Sequence, residues 1–421
     1  MIVDAFGASP DPIATAGRAY QASLKLGITK GADRSRAVQK MAQALKRSFD
    51  DILEANTLDL EASREMAAHE LIVDWLKLTP ERLQTTVEIL QRLGELSDPL
   101  RRVRNADYQL EDSQTYSQLM PLGVIALIYE AFPELGAIAA GLCIKTGNSL
   151  ILKGGSEATH SNAVIAFALQ SAIEEAGLPT GCLELLAADQ GAVIRDLVTQ
   201  DQYLNLVIPY GRSSLVQQVV RLSTAPVLKS AMGNCYLYWS VSGSLDMARS
   251  MILDSHQSAP DPVNAIEKVL INRKALPSSL VTLWNSLKDK GFVVKGDAEL
   301  VEAFPELKLA GDSEWNQAYL NKTVAFKAVD SLEAAIAWIN QYSSGHADCI
   351  VTESYQESRH FALGVNSAST YINASPRFSR NPSRGDSVFL GMSNQRGHRR
   401  GLISLETLTT VKHIVQGNGR F

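Results

Sequence analysis

Residues 121–162 read PLGVIALIYEAFPELGAIAAGLCIKTGNSLILKGGSEATHSN, and the reading of this stretch decides the fold. The runs PLGVIALIYEA and SLILKGG are short, apolar and rich in β-branched residues, and LGAIAAGLCIKTG between them has helical texture. A second helical segment, ATHSNAVIAFALQSAIEEAG, follows at once. Strand, helix, strand, helix, with strands that carry no polar face, predicts a parallel sheet covered on both sides. Farther on, LNLVIPYG reads as another buried strand and RSSLVQQVVRLS as its helix. Ligands of such sheets sit at the carboxyl ends of the strands, so KGGSEA (153–158) and PYGRSS (209–214) are expected at the rim of one cleft. Neither matches G-x-G-x-x-G, so spacing alone is a weak nucleotide signal.

Working outward, residues 12–96 carry apolar positions spaced by three and four and read as helices. Pro80 after Thr79 marks a helix start. From about 97 to 119 the helical period disappears, and the alternation reads as a strand pair. A second α/β unit is expected from about 231 to 370, and the tail ends in a strand. No internal repeat or low-complexity linker separates these parts.

Composition sets limits on function. Hydrophobic residues make up 45% and charged residues 20% of the 421, the mix of a globular protein. A net charge of −5 argues against nucleic-acid binding, which draws on basic residues to neutralise phosphates. The start MIVDAFGASPDP has no signal-peptide pattern, and no apolar run is long enough for a membrane span. The four cysteines, Cys143, Cys182, Cys235 and Cys349, form no C-x-x-C pair and read as buried, reduced thiols, so a cytoplasmic protein is expected. The seven histidines form no ligand cluster, which argues against a metal site. RGHRRG (396–401) reads as a solvated basic loop.

Residues 260–271, PDPVNAIEKVLI, are expected to form a turn over Pro260, Asp261 and Pro262 and then a helix carrying Val263, Ile266, Val269 and Leu270. A catalytic pocket would call for a nucleophile at such a helix start, where the dipole stabilises an anion. Valine supplies none.

The 121–162 stretch resembles gamma-glutamyl phosphate reductase, the glutamate-5-semialdehyde dehydrogenase family within the aldehyde dehydrogenase superfamily. ILEANTLDLEASRE, LTPERL, VIPYGRSSLV, YSSGHADCIVTES, ASTYINASPRF and LETLTTVKHIVQGNG extend the resemblance in order along nearly the whole chain. It implies two Rossmann-like α/β domains and a small β oligomerisation element. The cofactor-binding domain would span 1–230, with 100–120 and about 372–421 contributing to it and to the oligomerisation strands, and the catalytic-type domain would span 231–371. The family reaction it implies is NADPH-dependent reduction of L-glutamate 5-phosphate to the semialdehyde through a cysteine thiolate and an oxyanion hole, chemistry that needs a nucleophile and a donor aimed at the developing charge.

The resemblance breaks at the chemistry. Where the family has V-C-N-A-x-E this chain has Pro262, Val263, Asn264, Ala265, Ile266 and Glu267, so Val263 holds the nucleophile position, next to Asn264. Where the family has Y-E-A-R-P-N it has Tyr129, Glu130, Ala131, Phe132, Pro133 and Glu134, so Glu134 holds the oxyanion-asparagine position with a charge that would repel an oxyanion. NPSRGDSVFLG (381–391) lacks the family loop's paired glycines and both its glutamates, and Ala318–Asn321 lacks the acidic pair of E-Y-L-D. On the cofactor side the resemblance implies contact from Lys153, Ser156 and Glu157 to the adenosine ribose or its 2′-phosphate. Gly154 and Gly155 would allow close backbone approach, or serve a tight turn. Pro209, Gly211 and Arg212 fall where the family has P-R-G-G near the cofactor phosphates, with Tyr210 replacing an arginine and Ser213 following. Cys143 and Cys235 sit in packing contexts unsuited to a replacement nucleophile. Three functions follow as expectations: a catalytically inactive, NADP-binding or regulatory member paired with an active paralogue; an oxidoreductase working without the cysteine; or a purely structural oligomer. The strand segments 103–119 and 407–416 lead us to expect a dimer or higher oligomer.

Overall fold

Fully buried strands on either side of a fully buried helix organise the first of two compact units. The computed structural model describes residues 11–105, 113–186, 191–257, 263–274, 277–397, 399–417 and 419. Residues up to 230, with 380–391 and from 402 onward, form one unit, and 231–379 with 392–401 form the other. Residues 372–379 and 392–401 therefore group with the second unit, unlike the sequence-based division that gave all of 372–421 to the first.

In the first unit, α1 (Pro12–Leu26), α2 (Gly31–Arg47), α3 (Phe49–Glu65), α4 (Glu70–Leu76) and α5 (Pro80–Glu95) precede β1 (Val103–Asn105) and β2 (Ser113–Pro121). Their starts follow local chemistry: the Asp11 carboxylate accepts from the N–H of Ile13 and Ala14 beside Pro12, and Thr79 accepts from Arg82 N–H beside Pro80. Then β3 (Val124–Tyr129), α6 (Pro133–Thr146), β4 (Ser149–Lys153), α7 (Thr159–Glu175), β5 (Leu183–Leu185), α8 (Gly191–Val198), β6 (Leu206–Gly211) and α9 (Ser213–Leu222) alternate, followed by the short β7 (Ser230–Ala231). The sheet order is β5-β4-β3-β6-β7. Strand β3 runs parallel to β4, with Ile125 opposite Leu150, and to β6, with Ile128 opposite Pro209. Every residue of β3, β4 and α6 is buried, which explains why neither a period of two nor a polar helix face is visible there. Helix α6 stops at Gly147, whose φ of 77° is the left-handed cap that glycine tolerates best.

The C-terminal strand Thr409–Gly417 lies antiparallel to β2, with Thr409 opposite Pro121 and Gly417 opposite Ser113, and β1 pairs with the other edge of β2. The two segments expected to serve oligomerisation thus pair with each other, and among the described residues the terminal strand pairs along one edge only.

The second unit carries β8 (Cys235–Trp239), α10 (Leu245–Ser255), β9 (Ile266–Asn272), α11 (Pro277–Asp289), β10 (Val293–Gly296), α12 (Ala298–Ala303), β11 (Lys308–Leu309), β12 (Thr323–Val329), α13 (Leu332–Tyr342), β13 (Ala347–Val351), α14 (Tyr355–Gly364) and β14 (Ser369–Ile372). Its sheet order is β11-β10-β12-β9-β8-β13-β14. The helix expected from Val263 is not there. Val263 and Asn264 form a turn and Ile266 opens β9, with Val269 opposite Leu237 of β8 and Phe326 of β12. Both faces of β9 are covered, so its apolar run fits either period, and β-branched Ile266, Val269 and Ile271 with parallel neighbours decide for the strand. Pro260, Asp261 and Pro262 lie outside the described residues.

Candidate functional site

The residues singled out by the sequence fall into two groups, one in each unit. In the first unit they gather at the carboxyl ends of β3, β4 and β6. The chain leaves β3 through Glu130, Ala131 and Phe132 before α6 begins. Ala131 has φ of 58°, an uncommon conformation for a residue with a Cβ. Its N–H donates to Glu157 Oε1 at 2.6 Å. Glu130 reaches the neighbouring strand end, where its carboxylate accepts from Arg212 N at 2.5 Å, Nε at 3.1 Å and Nη2 at 2.9 Å. Burial pushes the Glu157 carboxyl up, and the bond to Glu130 pushes the Arg212 guanidinium up. Two carboxylates thus occupy the amides that terminate β3 and β6.

The glycines make room for these internal contacts. A Cβ on Gly154 would lie 2.1 Å from Asn162 Nδ2, one on Gly155 2.1 Å from Glu157 Oε1, and one on Gly211, with φ of 145°, 2.7 Å from Glu130. Asn162 Oδ1 in turn accepts from the buried Tyr129 hydroxyl at 2.9 Å. Close approach is what Gly154 and Gly155 provide, and the approaching groups are the chain's own side chains. Lys153 is 4% exposed and its ammonium donates to Gly154 O at 3.1 Å. Ser156 is exposed just beyond it, Pro209 is buried within β6, and Arg212, Ser213 and Ser214 are exposed at the start of α9. No side chain caps α9, so its first amides remain available to an anion. That donor set fits a dinucleotide phosphate.

Glu134 stands in the first turn of α6, where a carboxylate suits the helix dipole. It is buried, and its Oε1 accepts from Arg82 Nε at 3.2 Å and also from Nη2. Arg82 also donates to Trp75 O at 3.1 Å and to Lys77 O. Glu134 Oε2 has no hydrogen-bond partner among the described residues. The charge expected to repel an oxyanion is therefore compensated by Arg82. Phe132 stacks on Trp75 at 4.7 Å between ring centroids and meets Tyr210 edge-on at 5.7 Å. Tyr210 is fully buried and its hydroxyl accepts from Arg380 Nη2 at 2.8 Å, so its ring belongs to the core of the unit. The 381–391 loop is held to the same unit by Arg92, which donates to Asn381 Oδ1 at 2.5 Å and to the carbonyls of Pro382 and Gly385.

In the second unit Val263 is 1% exposed and its carbonyl accepts from Gly233 N at 3.0 Å. Asn264 is equally buried; Nδ2 donates to Pro376 O at 3.1 Å, while Oδ1 has no partner among the described residues. Three residues on, Glu267 accepts from the amides of Tyr319 and Leu320 at 2.5 and 2.7 Å. Lys268 lies 3.6 Å from the Tyr319 ring centroid. Burial pushes the Glu267 carboxyl up and the Lys268 ammonium down, so both tend towards neutrality. All four cysteines are buried. Burial holds Cys182 up at about 12 and raises Cys143, Cys235 and Cys349 as well, whereas a nucleophilic thiolate needs the opposite shift. Among the described residues no group of three or more His, Cys, Asp or Glu could hold a metal ion, and no helix is long and apolar enough to cross a membrane.

A model of the aldehyde dehydrogenase family matches residues 9–233. Gamma-glutamyl phosphate reductase 2 of Synechocystis is 57% identical over 403 residues, which cover 96% of both chains. The chain belongs to the gamma-glutamyl phosphate reductase family. The gamma-glutamyl phosphate reductase of Gloeobacter violaceus is 39% identical over 406 residues. The crystal structure of the Thermotoga maritima gamma-glutamyl phosphate reductase superposes with a TM-score of 0.90 at 31% identity, covering 98% of this chain and all of that one. Betaine aldehyde dehydrogenase of Staphylococcus aureus, at 14% identity and a TM-score of 0.71, shares the fold.

The structure couples residues that the sequence shows one at a time. Phe132 and Tyr210 meet edge-on. Glu134 finds Arg82 on α5, 52 residues away in sequence. The sequence reading missed Arg82, Arg92 and Arg380, as well as a contact between Asp59 and His160 at the start of α7. Only the ILEANTLDLEASRE and LTPERL blocks, which contain Asp59 and Arg82, could have pointed to two of them.

Proposed function

We propose that this protein is a gamma-glutamyl phosphate reductase homologue that has lost, or nearly lost, the NADPH-dependent reduction of L-glutamate 5-phosphate in proline biosynthesis and now serves a binding or regulatory role. The observation that carries the reading is the absence of a competent thiol. Val263 stands at the nucleophile position, and burial raises all four cysteines away from the thiolate form. Loss of the nucleophile in a covalent enzyme costs on the order of 10⁶ in kcat, and an oxyanion donor roughly 10²–10³. The first loss alone removes useful turnover.

The reading keeps the cofactor. A bound NADP would supply hydride chemistry; on this chain, the uncapped start of α9 and the exposed Ser156 would hold its phosphates and ribose. Glu130 and Glu157 would brace the strand ends around it. We further propose a cytoplasmic homodimer or higher oligomer that pairs through the open edge of the terminal strand, where Val411 and Val415 are exposed, with an active paralogue as a candidate partner. Two measurements test the reading together. Calorimetry should give micromolar NADPH affinity, and mass spectrometry after incubation with the semialdehyde and NADP should show no acyl adduct. An acyl-protein adduct would sink the inactive reading, and no NADPH binding at millimolar concentration would remove the cofactor from it.

A further inference from the structure

A cleft of about 640 Å³ lies in the first unit between α1, the end of α7 and β5, a volume within the range of about 300–1,000 Å³ typical of small-molecule sites. It is not part of the site described above. Residues 179–182 lead into the amino end of β5, whereas the candidate cofactor residues follow the parallel strands β3, β4 and β6 at their carboxyl ends. The walls of the cleft carry opposite charges, Arg18 and Lys25 from α1 and Glu174 and Glu184 from the other side. Arg18 and Glu184 are committed to each other, Nε donating to Oε1 at 3.1 Å and Nη2 to Oε2 at 2.9 Å. Lys25 stands two helical turns beyond Arg18, and neither its ammonium nor the Glu174 carboxylate has a partner among the described residues. The cleft therefore offers one uncommitted cation and one uncommitted anion.

Gly17 lines the same cleft from inside α1, where glycine is less favourable than alanine. Its φ is not positive, and a Cβ there would meet nothing within 4 Å. Neither backbone geometry nor packing calls for glycine, and its effect is to keep the cleft open. The occupant follows from charge and from the state of the sheet edge. An anion alone would face Glu174, and a cation alone would face Lys25. A peptide strand cannot extend β5, an edge strand, because the outward carbonyl of Leu183 already accepts from Gln170 Nε2 at 3.0 Å. Buried Ile173 and Leu183 supply an apolar floor. We propose that this cleft binds a free α-amino acid with an uncharged side chain, its carboxylate on Lys25 and its ammonium on Glu174. This second site is independent of both the cofactor reading and the loss of turnover.

The test is a binding screen on the whole chain. Each L-amino acid with an uncharged side chain is added singly at about 10 mM, and thermal melting reports ligands that bind the native state. At least one should raise the melting temperature in a saturable way, and calorimetry then gives its affinity. Loss of one charge-assisted bond predicts that Lys25→Met and Glu174→Gln each weaken that ligand about tenfold. The deaminated acid and the decarboxylated amine of the same ligand should bind at least about tenfold more weakly for the same reason. Gly17→Leu, which fills the cleft from a good helix position, should abolish binding while melting no lower than wild type. No amino acid binding in the screen overturns the proposal, as does a ligand whose affinity survives Gly17→Leu or whose deaminated acid binds equally well.

Discussion

Replacing Arg82 with alanine should damage this protein far more than replacing its partner. Arg82 donates two bonds to Glu134 Oε1 and two to the carbonyls of Trp75 and Lys77. The Arg82 side chain keeps 16% of its surface exposed and that of Glu134 only 8%. Arg82→Ala leaves a buried carboxylate with neither oxygen paired, and breaking a buried ion pair from one side costs about 3–5 kcal/mol. Glu134→Asn leaves an arginine that retains two carbonyl acceptors and some contact with water. The loss there should be about 1–2 kcal/mol, that of charge-assisted bonds at a partly solvated site. The double variant should recover part of the Arg82→Ala loss, because removing the carboxylate removes the orphaned charge. Guanidinium unfolding followed by tryptophan fluorescence reads all three, since Trp75 stacks on Phe132 beside this pair. Equal losses for the two single variants, or a double variant no better than Arg82→Ala, would refute the claim that Arg82 neutralises Glu134.

Further outcomes follow from the same contacts. Val263→Cys alone should restore no turnover in a coupled assay, because Glu134, Phe132 and the 381–391 loop remain as they are. Gly155→Ala should lower thermal stability by about 1–3 kcal/mol, since its Cβ would meet both Glu157 oxygens within 2.3 Å; a melting temperature equal to wild type would count against the Glu157 to Ala131 bond. Burial lowers His346 to about 4, so the unfolded chain binds a proton there that the native chain refuses. Stability should therefore decline as pH falls from about 6.5 towards 4, by roughly 3 kcal/mol in all. Asp348, raised by burial to about 6, contributes the opposite slope, so the readout is the difference between wild type and His346→Gln in urea titrations across that window. Light scattering at micromolar concentration should give at least a dimer, and Val415→Lys should shift it towards monomer.

The sequence makes much of this fold legible because its strongest signals are local. Pro80 behind Thr79 marks the start of α5, and the apolar runs around LILKGG and VIPYG can only be covered strands. The stretch from Val263 fails for a related reason: β9 is buried on both faces, so its spacing carries no period, and neighbouring strands decide its form. At the candidate site the sequence picks out residues to look at, but not what they do. Glu134 reads as a repelling charge until Arg82 is seen beside it. Gly154 and Gly155 read as room for a ligand until Asn162 and Glu157 fill the space. Tyr210 reads only as the replacement of an arginine until its ring is found packed against Phe132. The partners of Glu134 and Tyr210 lie dozens of positions away, those of Gly154 and Gly155 lie in the turn and helix start that follow, and neither propensity nor spacing encodes such contacts.

The proposed function leaves the protein without the covalent chemistry of its family. The most direct measurement is the steady-state rate of semialdehyde oxidation by the purified chain with NADP and phosphate, measured by NADPH absorbance beside a cysteine-bearing relative. A rate indistinguishable from the buffer blank is predicted, as the loss of a covalent nucleophile demands, and turnover within roughly a hundredfold of the relative would contradict it.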